Sequence, residues 1–334
     1  MSDKYSFIPS DPPPTGGDAP SPLLPDPLDP NFDAYWYGNG DATPSKEPSR
    51  SPDAAMRSLL ALLEDNDEKV ASTAIAGLLQ YKQLDDVIAA NQDADDPAMR
   101  RHIHQIAVIT EHRRIRRFFL EEFKRNTLMP WDALLCIQVL MDTRRSLREL
   151  EQLVNQCLPE KLPSCCQTAD VVKLMRSLEI SLVGDEEFIS ESFMIGEALD
   201  RQSASTIVLA ILAQHVGLRM KWLSSICMSN GHFCLLDQEG TLIDIEEEWK
   251  MEPADTKEAH VCTRREVIYT LLSYLLSSAI LSGNLYDQNI IGSLLADIEE
   301  IQRDAILYPQ GSFMLPKDSL ENDKNTNRVK NKGN

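Results

Sequence analysis

The stretch that decides the fold is residues 205–245, STIVLAILAQHVGLRMKWLSSICMSNGHFCLLDQEGTLIDI. Residues 205–216 are apolar around nearly the whole helical circumference, and a helix without a polar face has to be buried. After Gly217 the pattern changes to strand-like runs, which we place at 220–228, 232–237 and 241–245. The stretch therefore predicts a buried helix followed by an antiparallel hairpin, in a helix-rich α+β protein.

The hairpin has one favoured register. A three-residue loop at 238–240, with Gly240 in the left-handed conformation, places Cys234 opposite Asp244. His232 then shares a face with Cys234 and Asp244, whereas the other face is purely apolar and consists of Phe233, Leu235, Ile243 and Ile245. A shift by one residue would mix Asp244 with the apolar set. We predict that His232 and Asp244 lie within hydrogen-bond or water-bridge distance, on a face directed at the start of the buried helix.

Helices are predicted on both sides of this stretch. Residues 53–128 indicate short antiparallel helices, two of them opened by the capping residues Asp53 and Asp67. Further helices are predicted at 131–141, 146–157 and 168–182, with a run at 187–199 that leads into the buried helix. Beyond the hairpin, the capping box T-R-R-E at 263–266 opens a helix to about Ser282. A second helix at about 287–306 completes a helical hairpin.

Composition excludes several function classes. The 334 residues contain 33 Lys and Arg against 52 Asp and Glu, a net charge of -19, which disfavours contact with phosphate backbones and anionic membranes. No run approaches the roughly 18 apolar residues of a membrane span, and the first residues lack a signal-peptide pattern. We expect a cytoplasmic protein that binds neither nucleic acid nor a membrane.

The cysteines and the basic residues suggest no specialised site. The seven cysteines form no C-x-x-C motif, which favours reduced thiols over a disulfide frame or a zinc site, and we expect neither a cofactor nor a metal. His102 and His104 diverge by about 200° on a helix and cannot form a ligand pair. The basic run from Arg100 to Arg125 is interpreted as a solvated helix face, or as a contact for acidic segments of the chain or of a partner.

The two ends of the chain differ from the middle. Residues 1–52 contain twelve of the nineteen prolines, and residues 311–334 are mainly polar. Neither segment can bury enough apolar surface to offset the entropy lost on ordering. We expect both to be disordered tails.

Two resemblances organise the chain. Residues 62–79, LLEDNDEKVASTAIAGLL, resemble a HEAT repeat, and residues 197–249 resemble the core of the SirB-type transglutaminase-like family. MPWDALLCIQVLMD (129–142) and LRELEQLV (147–154) resemble the helical start of the same family. The resemblances imply a HEAT-like region at 53–128, a transglutaminase-like core at 129–258 and a TPR-like helical hairpin at 259–310, between tails at 1–52 and 311–334.

The resemblance to the SirB-type family also implies site residues. In transglutaminase-like enzymes a cysteine at the start of the buried helix is the nucleophile, and His and Asp lie on adjacent strands. Here the family's spacing leads to Gln202 and Ser203, and neither is a cysteine. The implied site retains His232 and Asp244, whereas we expect Ser203 and Ser205 to cap the helix.

Two functions follow from this site. The first is a pseudoenzyme, a non-catalytic module that binds a protein partner. The alternative is a hydrolase or acyltransferase in which Ser203 or Ser205 acts with His232 and Asp244.

Overall fold

A computed structural model of the chain describes residues 54–65, 67–81, 84–159, 167–184, 188–254 and 259–301. The predicted tails at 1–52 and 311–334 lie outside these ranges, as do the predicted cap Asp53 and the adjacent Cys165 and Cys166. Within them the protein is α+β and rich in helix, as the sequence predicts. No helix among the described residues is long and apolar enough to cross a membrane.

The helices precede and follow a small sheet. Two 3₁₀ turns, Leu62–Glu64 and Ser190–Phe193, separate some of them. The α-helices are α1 (Ala54–Ala61), α2 (Glu68–Leu78), α3 (Leu84–Asn91), α4 (Pro97–Arg125), α5 (Pro130–Met141), α6 (Leu147–Cys157), α7 (Thr168–Ser177), α8 (Ile195–Arg201), α9 (Thr206–Arg219), α10 (Arg264–Ser282) and α11 (Leu285–Ile298).

The strands form two sheets. β1 (Ser181–Leu182) pairs in parallel with β2 (Ser203–Ala204). The antiparallel sheet has the order β6-β5-β4-β3-β7 and consists of β3 (Ser224–Ser229), β4 (His232–Asp237), β5 (Thr241–Asp244), β6 (Lys250–Pro253) and β7 (Ala259–Val261). The predicted buried helix is α9, which packs on β3 and β4. The apolar strand face joins it in the main core, so this part of the prediction is confirmed.

Side-chain caps fix several helix ends where the sequence places them. Asp67 accepts a hydrogen bond from the Lys69 N–H at the start of α2. Thr263 and Glu266 form the predicted capping box of α10, and Gly283 ends that helix with φ +69°. A left-handed C-cap of this kind suits glycine, which has no Cβ to clash.

Helix α4 is the largest departure from the prediction of short helices. It continues for 29 residues and contributes to two separate cores. Met99, Ile103 and Ile106 pack with α1, α2 and α3, whereas Phe119 and Phe123 belong to the main core around α5 and α9. At about 100° per residue the two apolar stripes lie on roughly opposite sides of the helix. No single apolar stripe therefore marks the full length of α4 in the sequence.

Other boundaries also differ from the predictions. Helix α7 ends at Ser177 instead of residue 182, because the chain extends into β1, and its N-cap is Gln167 instead of Thr168. Strand β3 begins at Ser224 instead of residue 220, since Met220 still belongs to the end of α9. Helix α11 begins at Leu285, where Asn284 caps it, and ends at Ile298.

The basic run on α4 is largely paired within the chain. Arg114 contacts Asp85 of α3, and Arg116 donates to Asp297 of α11 from Nε at 2.9 Å and from Nη2 at 2.5 Å. Lys124 pairs with Glu300 at 2.8 Å. Of the interpretations left open by the sequence, contact with acidic segments of the chain itself accounts for these three residues.

Candidate functional site

The register of the hairpin formed by β4 and β5 determines where the candidate site residues lie. Cys234 pairs with Asp244, Leu235 with Ile243 and Leu236 with Leu242, as predicted. Gly240 has φ +82°, a conformation that glycine adopts without steric cost. The Asp237 carboxylate accepts hydrogen bonds from the N–H groups of Glu239 and Thr241 and so holds the loop. The predicted register is therefore confirmed.

His232 and Asp244 form the centre of the site. His232 Nε2 donates to Asp244 Oδ2 at 3.0 Å, across adjacent strands. Asp244 Oδ1 accepts from the N–H groups of Glu246 and Glu247 at 2.9 and 3.1 Å. Burial acts to raise the pKa of Asp244, but the hydrogen bonds from His232 and from the backbone outweigh it and lower the pKa. The carboxylate is therefore ionised, and both of its oxygens accept hydrogen bonds.

Two residues that we did not select from the sequence link this pair to the buried helix. Glu246 Oε2 lies 3.6 Å from His232 Nδ1. The hydroxyl of Thr206, the first residue of α9, donates to Glu246 Oε1 at 3.1 Å. One side chain therefore spans the distance between His232 and the start of α9. Glu246 falls on the His232 face in the predicted register, and that periodicity is the signal that could have identified it.

Ser203 and Ser205 do not take the capping roles that we expected. Ser203 lies in β2, paired with Ser181, and is separated from the helix by Ala204 and Ser205. Ser205 occupies the N-cap position, but its side chain makes no capping hydrogen bond. Its Oγ is buried and has no hydrogen-bond partner among the described residues. Gln202 is a left-handed residue that ends α8, outside the buried helix.

The described cysteines are poor nucleophiles. Burial raises the pKa of each of the five, and the nearby Asp244 reinforces this for Cys234, whose pKa is about 12. A reactive thiolate needs the opposite shift, from a cation or a helix N-terminus. None of these five thiols is therefore activated for attack.

Cys234 nevertheless lies beside the His232–Asp244 pair. Its Sγ, a ring nitrogen of His232 and a carboxylate oxygen of Asp244 lie within 4.8 Å of one another. Cys234 and Asp244 are buried, and His232 is partly exposed. Sulfur, nitrogen and oxygen donors thus converge on one side of the sheet.

The comparisons add no relative. No family model, no curated protein and no solved structure matches this chain.

Proposed function

We propose that this chain is a non-catalytic, transglutaminase-like protein that binds a protein partner. One observation carries the first half of the proposal: both ring nitrogens of His232 face carboxylates, Nε2 that of Asp244 and Nδ1 that of Glu246. The order of buried helix, histidine strand and aspartate strand supports the family assignment. Helices α1 to α3 support a HEAT-like region in front of it.

The surroundings of His232 oppose a catalytic triad. A general base needs one ring nitrogen directed at the nucleophile, while the other is oriented by the acid. Here Glu246 occupies the position next to Nδ1, and the Thr206 hydroxyl at the helix start donates to Glu246 instead of to the histidine. The arrangement retains the acid–histidine pair and replaces the nucleophile with a second acid.

The second half of the proposal depends on an exposed apolar surface. The turn between α10 and α11 exposes four large apolar side chains within seven residues: Ile280, Leu281, Leu285 and Tyr286. Leu281 is 76% exposed. Contiguous apolar groups on a surface are typical of contacts with other proteins, and tyrosine is enriched at such contacts. We call these four residues the hairpin tip and propose that they contact the partner.

A fluorophosphonate probe tests the absence of catalysis. We expect no labelling of the full chain under conditions that label a known serine hydrolase at the same concentration. Labelling that disappears in Ser205→Ala or Ser203→Ala would contradict the proposal.

Affinity purification from the native host tests partner binding. We expect a partner that copurifies with the full chain and is lost from Leu281→Asp/Tyr286→Asp. Leu223→Asp is the matched control, because Leu223 is a similarly exposed leucine outside the tip. Equal capture by all three forms would exclude the hairpin tip as the binding surface.

The alternative function, a hydrolase or acyltransferase, has one observation in its favour. Ser205 Oγ is buried at the start of α9 and has no hydrogen-bond partner among the described residues, so its hydroxyl can pair with a substrate or a base. Catalysis would require Glu246 to move away from His232 Nδ1 so that the imidazole could accept the Ser205 proton. The same probe distinguishes the alternative from the main proposal.

A further inference from the structure

We propose that His232, Cys234 and Asp244 bind a zinc-type divalent cation. The proposal goes beyond partner binding and does not depend on it. Its basis is the convergence of one nitrogen, one sulfur and one oxygen donor within 4.8 Å of one another. The three residues lie on the described part of β4 and β5, and the register explains their convergence.

The sheet holds the three donors in place. His232 and Cys234 are two residues apart on β4 and therefore project from the same face, and Asp244 is the direct cross-strand partner of Cys234. Phe233, Leu235 and Ile243 fix the opposite face in the main core. Cys234 packs with Cys227 and Leu242 in a small separate apolar cluster. The site thus has a rigid, largely apolar base and an opening beside the partly exposed histidine.

The donor set selects the class of metal. Thiolate and imidazole ligands suit Zn²⁺ and related first-row cations, whereas Mg²⁺ and Ca²⁺ take oxygen ligands. Three protein ligands leave a fourth tetrahedral position for water or another ligand. The site also favours a cation electrostatically, since Asp244 and Glu246 place two carboxylates around a single histidine.

Neighbouring groups are arranged to orient the ligands. A metal-bound histidine usually has its other ring nitrogen next to a carboxylate or carbonyl. Glu246 Oε2, 3.6 Å from Nδ1, supplies that carboxylate when Nε2 is the ligand. Asp244 Oδ1 is held by two backbone N–H groups, so its Oδ2, which now accepts from His232 Nε2, is the oxygen available to a metal. Metal binding would displace the Nε2 proton and the Cys234 thiol proton to solvent, so the affinity should rise with pH.

Cobalt titration of the reduced full chain tests the site. We expect one equivalent of Co²⁺ to produce a thiolate-to-metal charge-transfer band, and one equivalent of Zn²⁺ to abolish it by displacement. Cys234→Ala should lose the band. His232→Ala and Asp244→Asn should weaken Co²⁺ binding at least tenfold, and Glu246→Gln should weaken it by about tenfold or more, as for other residues that orient ligands.

Matched variants separate this site from other thiols. Cys227→Ala removes a buried thiol from the same small cluster, and Cys157→Ser removes an exposed one. Cys165→Ser/Cys166→Ser removes the adjacent pair. All three should keep the band, and circular dichroism should show every variant folded. Failure of the folded wild-type chain to bind one equivalent, or a band that survives in Cys234→Ala, would overturn the proposal.

Discussion

Asp132 is a carboxyl group buried in the first turn of α5. Burial raises its pKa to about 8, and the carboxylates of Glu151 and Glu122 add to the shift, whereas Arg264 opposes it. The adjacent Trp131 donates from its indole to Glu151 Oε1 at 2.8 Å and stacks on His215 with ring centroids 4.2 Å apart. Burial lowers the pKa of His215 to about 3, so this ring is neutral at neutral pH.

The shift at Asp132 predicts a loss of stability as pH rises. The folded pKa exceeds the unfolded value of 3.8, so between these two values the folded chain binds more protons than the unfolded one. The free energy of unfolding should then fall by up to about 1.4 kcal/mol per pH unit. Urea unfolding at pH 6.5 and 8 should show a smaller decrease in Asp132→Asn than in wild type.

The comparison of variant with wild type isolates the contribution of Asp132. His215 acts in the opposite direction, mainly between about pH 3 and its ordinary value of 6.5, and this contribution is common to Asp132→Asn and wild type, so it cancels in the comparison. Asp86→Asn removes an exposed carboxylate and should keep the wild-type pH dependence. Equal slopes for Asp132→Asn and wild type would show that Asp132 is ionised in the fold.

Sequence reasoning succeeds and fails for identifiable reasons among the site residues. The contact of His232 with Asp244 follows from a period of two and one turn, and both are local properties. The role of Glu246 depends on where Thr206 lies, which is set by the packing of α9 and not by local pattern. Likewise a search for C-x-x-C motifs cannot find ligands that meet only across two strands.

At the scale of elements, α9 meets the loop before β3 at Gly217. A Cβ built on Gly217 would lie 2.3 Å from Trp222 Cε3, closer than packed atoms can approach. The Trp222 side chain is held in place, because its indole N–H donates to Thr168 Oγ1 at 3.1 Å. The backbone N–H of Trp222 also donates to the Gly217 carbonyl at 2.8 Å. The close approach of helix and loop therefore requires glycine.

Gly217→Ala should destabilise the fold by about 1–3 kcal/mol, because the added methyl group overpacks the core against Trp222. Denaturant unfolding measures the change. Gly184→Ala is the control, since a Cβ there meets no atom of the described residues within 4 Å. A Gly217→Ala variant as stable as the Gly184→Ala variant would mean that the helix end adjusts freely.

Helices and strands whose apolar residues keep one period along their whole length agree closely with the prediction. Elements in which that period changes agree less well. Residues 131–141 and 232–237 agree with α5 and β4 to within one residue. The pattern over residues 53–128 predicts short helices, whereas α4 is continuous, and its apolar stripe moves to the other side of the helix between Ile106 and Ile115. That change follows from having two cores, which no short window of sequence reports.

At the scale of the whole molecule, Arg116 joins the α4 helix to the C-terminal hairpin. It donates to Asp297 and, at 3.2 Å, to Ser293 Oγ, and both charged side chains are mostly buried. Arg116→Gln should lower the free energy of unfolding by about 1–2 kcal/mol, because charged hydrogen bonds are lost in a poorly hydrated place. The adjacent, exposed Arg117→Gln should have little effect, and an equal loss in both would contradict the assignment.

Residues 1–52 and 317–334, which lie outside the described residues, give a second prediction at this scale. The proline content of the first segment and the lack of apolar periodicity in both indicate that they add little to folding. A chain trimmed to residues 53–312 should keep the thermal midpoint of the full chain within a few degrees, as measured by circular dichroism. Insoluble trimmed protein would show that the aromatic residues Tyr35, Trp36 and Tyr37 of the first segment pack on the core.

Because α4 is one continuous helix, it fixes the angle about its axis between the first core, around α1 to α3, and the main core. Since each residue turns an α-helix by about 100°, one residue inserted between Arg114, which still contacts α3, and Ile115 would rotate the first core by that angle about the helix axis. Seven residues inserted there would restore the angle to within about 20° while lengthening the helix by about 10 Å. The rotation that an insertion produces at this point is therefore not proportional to its length.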